Sequence, residues 1–133
     1  MTQRSKEVHA LFLVLVGLLA WLVPGAGHLA INKKKHAIII FVTIALTFCA
    51  GLYIGSVGII DSVGAKPWFI AQLMNSPVVA VLGRISKAGD YAVYAKPNEI
   101  GQIYTSIAGL LNLLCIVNAV YWAHLRRTET IGD

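Results

Sequence analysis

Two long stretches of this chain contain no Asp, Glu, Lys or Arg: residues 37–60 and residues 100–125. A helix that crosses a membrane needs about 20 mostly apolar residues to span the hydrocarbon core. Both stretches exceed that length. The sequence therefore predicts two transmembrane helices and an all-α integral membrane protein.

The composition favours the same class of protein. Of the 133 residues, 57% are hydrophobic and 13% are charged, whereas soluble domains average about 45–50% and about 25%. The net charge is +5, but the basic residues are separated by long uncharged stretches. We therefore expect membrane lipids as partners and no nucleic acid.

A third uncharged segment, residues 10–31, is harder to interpret. Its purely apolar part ends at Val23, where Pro24-Gly25-Ala26-Gly27 interrupts the helical pattern. Proline and glycine break helices, and irregular backbone at membrane depth requires cover by protein or water. The segment either crosses the membrane fully with a bent end, or enters as a half-helix and turns back.

The basic residues indicate which ends of the spans lie together. Lys33-Lys34-Lys35 precedes the second apolar segment, and Arg126-Arg127 follows the last one. If these two spans are antiparallel, both clusters lie on one side, and cytoplasmic loops are the ones enriched in Lys and Arg. A re-entrant first segment adds Arg4 and Lys6 to that side. We expect a multi-pass protein of the bacterial inner, or cytoplasmic, membrane.

Residues 61–99 are predicted to form a non-cytoplasmic loop. Within it, Lys66-Pro67-Trp68 is typical of a helix start, which predicts a short interfacial helix. Residues 78–82 and 91–94 flank a turn signal and suggest a small β-hairpin.

Four aromatic residues are interpreted as interfacial anchors: Trp21, Trp68, Tyr121 and Trp122.

Small and polar residues recur at helical spacing in both long apolar segments, as expected where membrane helices approach closely. We expect the two faces to meet, with Asn112 hydrogen-bonding across the seam. Asn118 points to a different face and needs another partner: the first segment, another subunit or a ligand. The two faces comprise Thr43, Thr47, Gly51, Gly55 and Gly58, and Thr105, Ala108, Asn112, Cys115 and Ala119.

No pattern of catalytic residues is present, so we predict no catalytic site and do not expect an enzyme. The four histidines match no metal-ligand spacing, and we predict neither a metal site nor a resident cofactor. If a haem or chlorophyll-type pigment were bound, His28 beside the glycine break would be the candidate ligand. His28 with Lys33, Lys34 and Lys35 also suggests a binding site for lipid phosphate.

Two motifs carry a resemblance. Ala20-Trp21-Leu22-Val23-Pro24-Gly25-Ala26-Gly27-His28 and Gly109-Leu110-Leu111-Asn112-Leu113-Leu114 resemble segments of a family of small, uncharacterised bacterial multi-pass membrane proteins. The first motif is also similar to the connection in two-transmembrane-helix domain proteins. The family often has Phe/Tyr-Leu-Gly after the histidine and tends to have Asp at the position of Asn118, and this chain departs at both places. The resemblance implies a shared membrane architecture and no known activity.

Three functions remain open from the sequence. The leading hypothesis is a non-catalytic accessory or assembly subunit of a larger inner-membrane complex, with other membrane subunits as partners. It rests on the small size, the packing faces, the lack of catalytic groups and the unassigned partner of Asn118. The alternatives are a homo-oligomeric channel or small-solute carrier, and a lipid- or pigment-binding membrane protein.

Overall fold

A computed structural model describes residues 3–60, 66–89 and 95–131. The described part of the chain is all-helical, as predicted, and contains no strand. It holds six α-helices and one turn of 3-10 helix at Val57–Ile59. The α-helices are α1 (Gln3–Leu22), α2 (Ala26–Ala30), α3 (Lys34–Gly55), α4 (Lys66–Leu73), α5 (Val78–Ala88) and α6 (Ala95–Ile131).

The two long apolar segments form α3 and α6. Lys34–Gly55 and Glu99–Arg126 are long and apolar enough to cross a membrane, with mean hydropathies of 2.5 and 1.8. The helix α3 ends five residues before the predicted boundary at residue 60. Ser56 there adopts a φ of 66°, which turns the chain so that Ile59 and Ile60 become fully buried.

Glycines bring α3 and α6 together as an antiparallel pair. A Cβ on Gly51 would lie 2.6 Å from Thr105 Cγ2, and a Cβ on Gly101 would lie 2.8 Å from the Gly51 carbonyl oxygen and 2.8 Å from Gly55 Cα. Contacts this short leave no room for a side chain. The small residues of one helix therefore meet the backbone of the other, which is how helices associate in a lipid environment.

The first segment turns back inside the bundle instead of running past it. His9 lies beside His124 near the end of α6, and Asn112 reaches the Ala20 carbonyl near the end of α1. After the break at Pro24, His28 returns to the level of Asn118. We call α1 and α2 the N-terminal hairpin, and both of its ends lie at the same end of α6.

Glycine makes this turn and its tight packing possible. Gly25 has a φ of 87°, and a Cβ there would lie 2.5 Å from the Ala37 carbonyl oxygen. At Gly27 a Cβ would lie 2.7 Å from the Ala20 Cβ and 3.0 Å from the Ala119 Cβ. The short helix α2 therefore fits between α1 and α6 only because Gly27 lacks a side chain.

A second hairpin enters from the opposite end. The helix α4 runs parallel to α6, since Ser106 Oγ donates to the Trp68 carbonyl and Asn112 Nδ2 donates to the Asn75 carbonyl. After Pro77 the chain reverses, and α5 returns so that Gly83 lies beside Phe69. We call α4 and α5 the central hairpin.

The central hairpin differs from the expectation for residues 61–99. Its described part contains two helices where we predicted a loop with one. The β-hairpin interpretation is wrong for residues 78–82, which belong to α5, while residues 91–94 lie outside the described part. Polar residues such as Gln72 and Asn75 are typical of loops, but here they are buried and lie between packed helices.

Candidate functional site: the junction of the two hairpins

The tips of the two hairpins meet each other beside Asn112. This residue lies near the middle of the apolar segment Glu99–Arg126, so both hairpins stop about halfway along α6. We call this region the hairpin junction. It consists of Ala20, Trp21 and Leu22 from the first tip, residues 73–76 from the second tip, and Asn112.

Asn112 holds the junction together. Its side chain is fully buried, and its Nδ2 lies 3.4 Å from the carbonyl oxygen of Ala20, 3.0 Å from that of Met74 and 2.8 Å from that of Asn75. Helix ends leave backbone carbonyls without partners in the helix. A single amide group therefore supplies donors to the carboxyl-terminal ends of α1 and α4.

Two further side chains link one tip to the other. Trp21 Nε1 donates to the Leu73 carbonyl at 3.0 Å, and Ser76 Oγ donates to the Leu22 carbonyl at 3.0 Å. Trp21, which we predicted to be an interfacial anchor, thus joins the two hairpins. Its indole N–H satisfies a carbonyl of the other hairpin, which no helix periodicity could indicate.

Two amide oxygens at the junction, and a third about two helical turns away along α6 beside Thr105, have no hydrogen-bond partner within the described residues. They are Gln72 Oε1, Asn75 Oδ1 and Asn112 Oδ1, and their residues are 0%, 6% and 0% exposed. The Gln72 amide nitrogen is used, since it donates to Thr105 Oγ1 at 2.8 Å. Buried polar atoms without partners are rare because their desolvation is not compensated.

Each hairpin tip combines the carboxyl-terminal end of one helix with the amino-terminal start of the next, α2 after α1 and α5 after α4. Opposite ends of peptide dipoles therefore meet at the junction. The unpartnered groups are amide oxygens, which only accept hydrogen bonds or coordinate cations. These oxygens suit a cation or a hydrogen-bond donor.

A partly open cleft of about 270 Å³ lies against the junction. Its walls are apolar except for Asn75 and Ser76, which come from the second tip. The first tip and α3 complete the lining. The other lining residues are Leu22, Val23, Pro24, Phe41, Ile44, Ala45, Phe48, Cys49, Val78 and Val79.

A second polar cluster lies at the end of the bundle where α3 begins. His28 Nε2 is 3.1 Å from Asn118 Oδ1, and His9 Nε2 is 3.0 Å from His124 Nδ1. Asn118 thus has its partner in the first segment, one of the three possibilities left open by the sequence. His28 is 3% exposed, and this pairing joins the N-terminal hairpin to α6.

The basic residues of that end do not share one role. The Lys33 ammonium lies 3.3 Å from the centroid of the Trp122 ring, a cation–π contact. Arg126 donates to the Ile31 carbonyl. Lys34 and Lys35 are exposed. In the part of the chain that the structure describes, no three His, Cys, Asp or Glu residues lie together in a way that could hold a metal ion.

The remaining candidate residues are distributed along the α3–α6 pair. Thr47 Oγ1 donates to the Thr43 carbonyl within its own helix. Gly58 lies in the 3-10 turn after α3, and Ala108 is fully buried. Cys115 is half-buried and carries a free thiol. We predicted a hydrogen bond from Asn112 to α3 across the α3–α6 seam. Within the described residues, Asn112 instead donates to the hairpin tips.

Sequence reasoning missed Trp21, Gln72, Asn75 and Ser76 as members of one site. The available signal was the cluster of polar residues between the apolar residues of 68–83. We placed that cluster in a non-cytoplasmic loop. In the fold, Trp21 and Ser76 donate to backbone carbonyls at the point where two helices end, so the polarity of this segment marks a junction.

Comparison with protein families matches residues 15–130 to a family described as "Family of unknown function (DUF6677)". The match begins within α1, at residue 15, and covers every later helix except the last residue of α6. No curated protein and no solved structure matches the chain. Because the match includes most of the sequence, this chain belongs to the DUF6677 family.

Proposed function

We propose that this protein is a small-solute or ion carrier or channel of the membrane, and that the hairpin junction is its binding site. In this proposal α3 and α6 span the bilayer, and the two hairpins enter it from opposite sides. Their tips then lie near the middle of the hydrocarbon core. The bacterial inner membrane is the proposed location.

The observation that carries the proposal is the pair of buried, unpartnered amide oxygens of Asn75 and Asn112 at a place where two helices end. Asn112, Trp21 and Ser76 satisfy many of the freed carbonyls, which a purely structural junction requires. Asn75 and Asn112 nevertheless retain acceptors with no donor. A bound ligand that supplies positive charge or N–H and O–H groups would compensate them.

The chemistry of the site defines the class of ligand. Interrupted helices in transporters use carboxyl-terminal ends and unwound carbonyls to coordinate small cations near the bilayer midplane. The two uncharged stretches, residues 37–60 and 100–125, contain no acidic residue, so a monovalent cation or a small neutral donor such as water or a polyol fits better than a divalent ion.

Two sets of contacts within the chain weaken the support for the other functions expected from the sequence. Asn118 is bonded to His28, so it no longer supports an accessory subunit that needs an external partner. Gly51 and Gly55 face α6 of the same chain, which leaves no role for that stripe between copies. A carrier of small solutes is therefore the function that the contacts support best.

Flux measurements on reconstituted protein test the proposal. Vesicles containing the wild-type protein should pass either a small cation or a small neutral solute faster than protein-free vesicles. Asn75→Ala removes one unpartnered oxygen but keeps the backbone carbonyl that binds Asn112. We expect it to lower the flux by roughly fivefold to tenfold, as for one lost hydrogen bond of about 1–1.5 kcal/mol.

Thr43→Ala is the matched control, because Thr43 is exposed on α3 and its carbonyl contact to Thr47 does not need its side chain. Its flux should equal that of the wild type. Wild-type vesicles that pass neither class of solute faster than protein-free vesicles would contradict the proposal. Equal losses in Asn75→Ala and Thr43→Ala would exclude the junction as the site.

A further inference from the structure

Two adjoining clefts form one groove along the side of α3 that faces the two hairpins. A fully apolar cleft of about 210 Å³ lies between the turn at Gly25 and the first half of α3. It shares Val23, Pro24 and Phe41 with the 270 Å³ cleft beside the junction. We call the combined feature the α3 groove.

The groove has the dimensions of one lipid tail. Along α3 its lining extends from Ala37 to Cys49, a rise of about 18 Å at 1.5 Å per residue. Half of a hydrocarbon core of about 30 Å is about 15 Å. The groove therefore begins within one turn of the start of α3 and extends to about the depth at which one leaflet ends.

A free cation lies at the outer end of the groove. Residues four apart share a helix face, so Lys34 lies on the face of Ile38 and one turn farther out. Lys34 is exposed, whereas the neighbouring Lys33 ammonium is held over the Trp122 ring. The long side chain of Lys34 can extend to the headgroup level while its stem follows the apolar surface.

We propose that the α3 groove binds an anionic phospholipid, with one acyl chain in the groove and the phosphate at Lys34. This proposal does not depend on transport at the hairpin junction. The apolar lining recognises the acyl chain, and the Lys34 ammonium distinguishes an anionic headgroup from a zwitterionic one. Basic residues near the membrane surface attract anionic lipids in this way.

Lipid titration of the purified, delipidated full chain, followed by native mass spectrometry, tests the proposal. The probes are phosphatidylglycerol and phosphatidylcholine with the same long acyl chains, and dihexanoyl phosphatidylglycerol. We expect the wild type to bind long-chain phosphatidylglycerol most tightly. Lys34→Gln should weaken that binding about fivefold, the effect of one headgroup charge, and leave phosphatidylcholine unchanged.

Ala45→Phe fills the groove and should weaken the binding of both long-chain lipids. The matched controls are Lys66→Gln, an exposed lysine at the other end, and Ile39→Phe, an exposed position off the groove face. Both should bind as the wild type does. The short-chain lipid tests the same point without a substitution, since it cannot fill the groove and should bind weakly.

Three results would overturn the proposal. The wild type could bind both headgroups equally, which would remove the role of Lys34. Dihexanoyl and long-chain phosphatidylglycerol could bind equally, which would remove the role of the groove. The delipidated wild type could also form a dimer that Ala45→Phe dissociates, which would assign the groove to a second copy of the chain.

Discussion

Asn112 and Asn118 are six residues apart on one helix but have different roles. Asn112 donates to three carbonyls on two hairpins, and Asn118 pairs with a single imidazole of the N-terminal hairpin. Each is an amide inside an apolar segment, and their spacing places them on different faces of the helix without showing which partner lies on either face. The difference arises from which helix ends lie beside each residue.

Replacing Asn112 should destabilise the protein more than replacing Asn118. Asn112→Leu leaves three carbonyls at the junction without their donor, and we expect a loss of about 2 kcal/mol in the free energy of unfolding. Asn118→Leu breaks one hydrogen bond and should cost about half of that. Reversible denaturation in mixed detergent micelles, followed by circular dichroism, measures both. A smaller loss for Asn112→Leu than for Asn118→Leu would contradict the junction.

The space available for a side chain differs greatly between the glycines at the helix contacts. At Gly109 a Cβ would lie 1.9 Å from the Ala71 carbonyl oxygen of α4. At Gly17 the nearest atom to a Cβ is Val120 Cγ2 at 3.4 Å, which is an ordinary contact. The contact of α4 with α6 therefore requires glycine, and the contact of α1 with α6 at Gly17 does not.

Alanine at these two positions should have opposite effects. Gly109→Ala forces α4 away from α6, and we expect a loss of about 1–3 kcal/mol in unfolding free energy, as for other overpacked cores. Gly17→Ala should leave stability unchanged or raise it by up to about 1 kcal/mol through helix propensity. Thermal unfolding of the two variants compares them directly. Equal effects would show that α4 does not lie against α6 at Ala71.

In the bundle as a whole, the two hairpins open toward opposite ends. The N-terminal hairpin begins and ends where α3 begins and α6 approaches its end, near Lys33 and Arg126. The central hairpin opens at the end where α3 finishes. Lys6 and Lys34 therefore lie at one end, and Lys66 and Lys87 at the other. This distribution agrees with a re-entrant first segment.

Labelling of single cysteines should reproduce this division across a membrane. In a Cys49→Ala, Cys115→Ala background, Lys6→Cys and Lys34→Cys should react with a membrane-impermeant thiol reagent from the same side. Lys66→Cys and Lys87→Cys should react only from the opposite side. If Lys6→Cys and Lys34→Cys reacted from opposite sides, the first segment would cross the membrane fully.

The sequence predicted those parts of the molecule that depend on local composition. Two uncharged apolar stretches indicated two long helices, because length and hydropathy are properties of each stretch alone. Pro24 and Gly25 indicated the break after α1, since their backbone restrictions are intrinsic. The glycines at 51 and 55 also lie on the α3–α6 seam, as the helical spacing suggested.

Other features arose only when segments distant in the chain came together. Whether the first segment crosses or turns back depends on contacts such as His28 with Asn118, ninety residues apart. The helices of residues 66–88 are stable among apolar neighbours because Asn112, Trp21 and Ser76 satisfy carbonyls at their junction. Periodicity shows which face of a helix is polar, but the partner on that face depends on where every other helix ends.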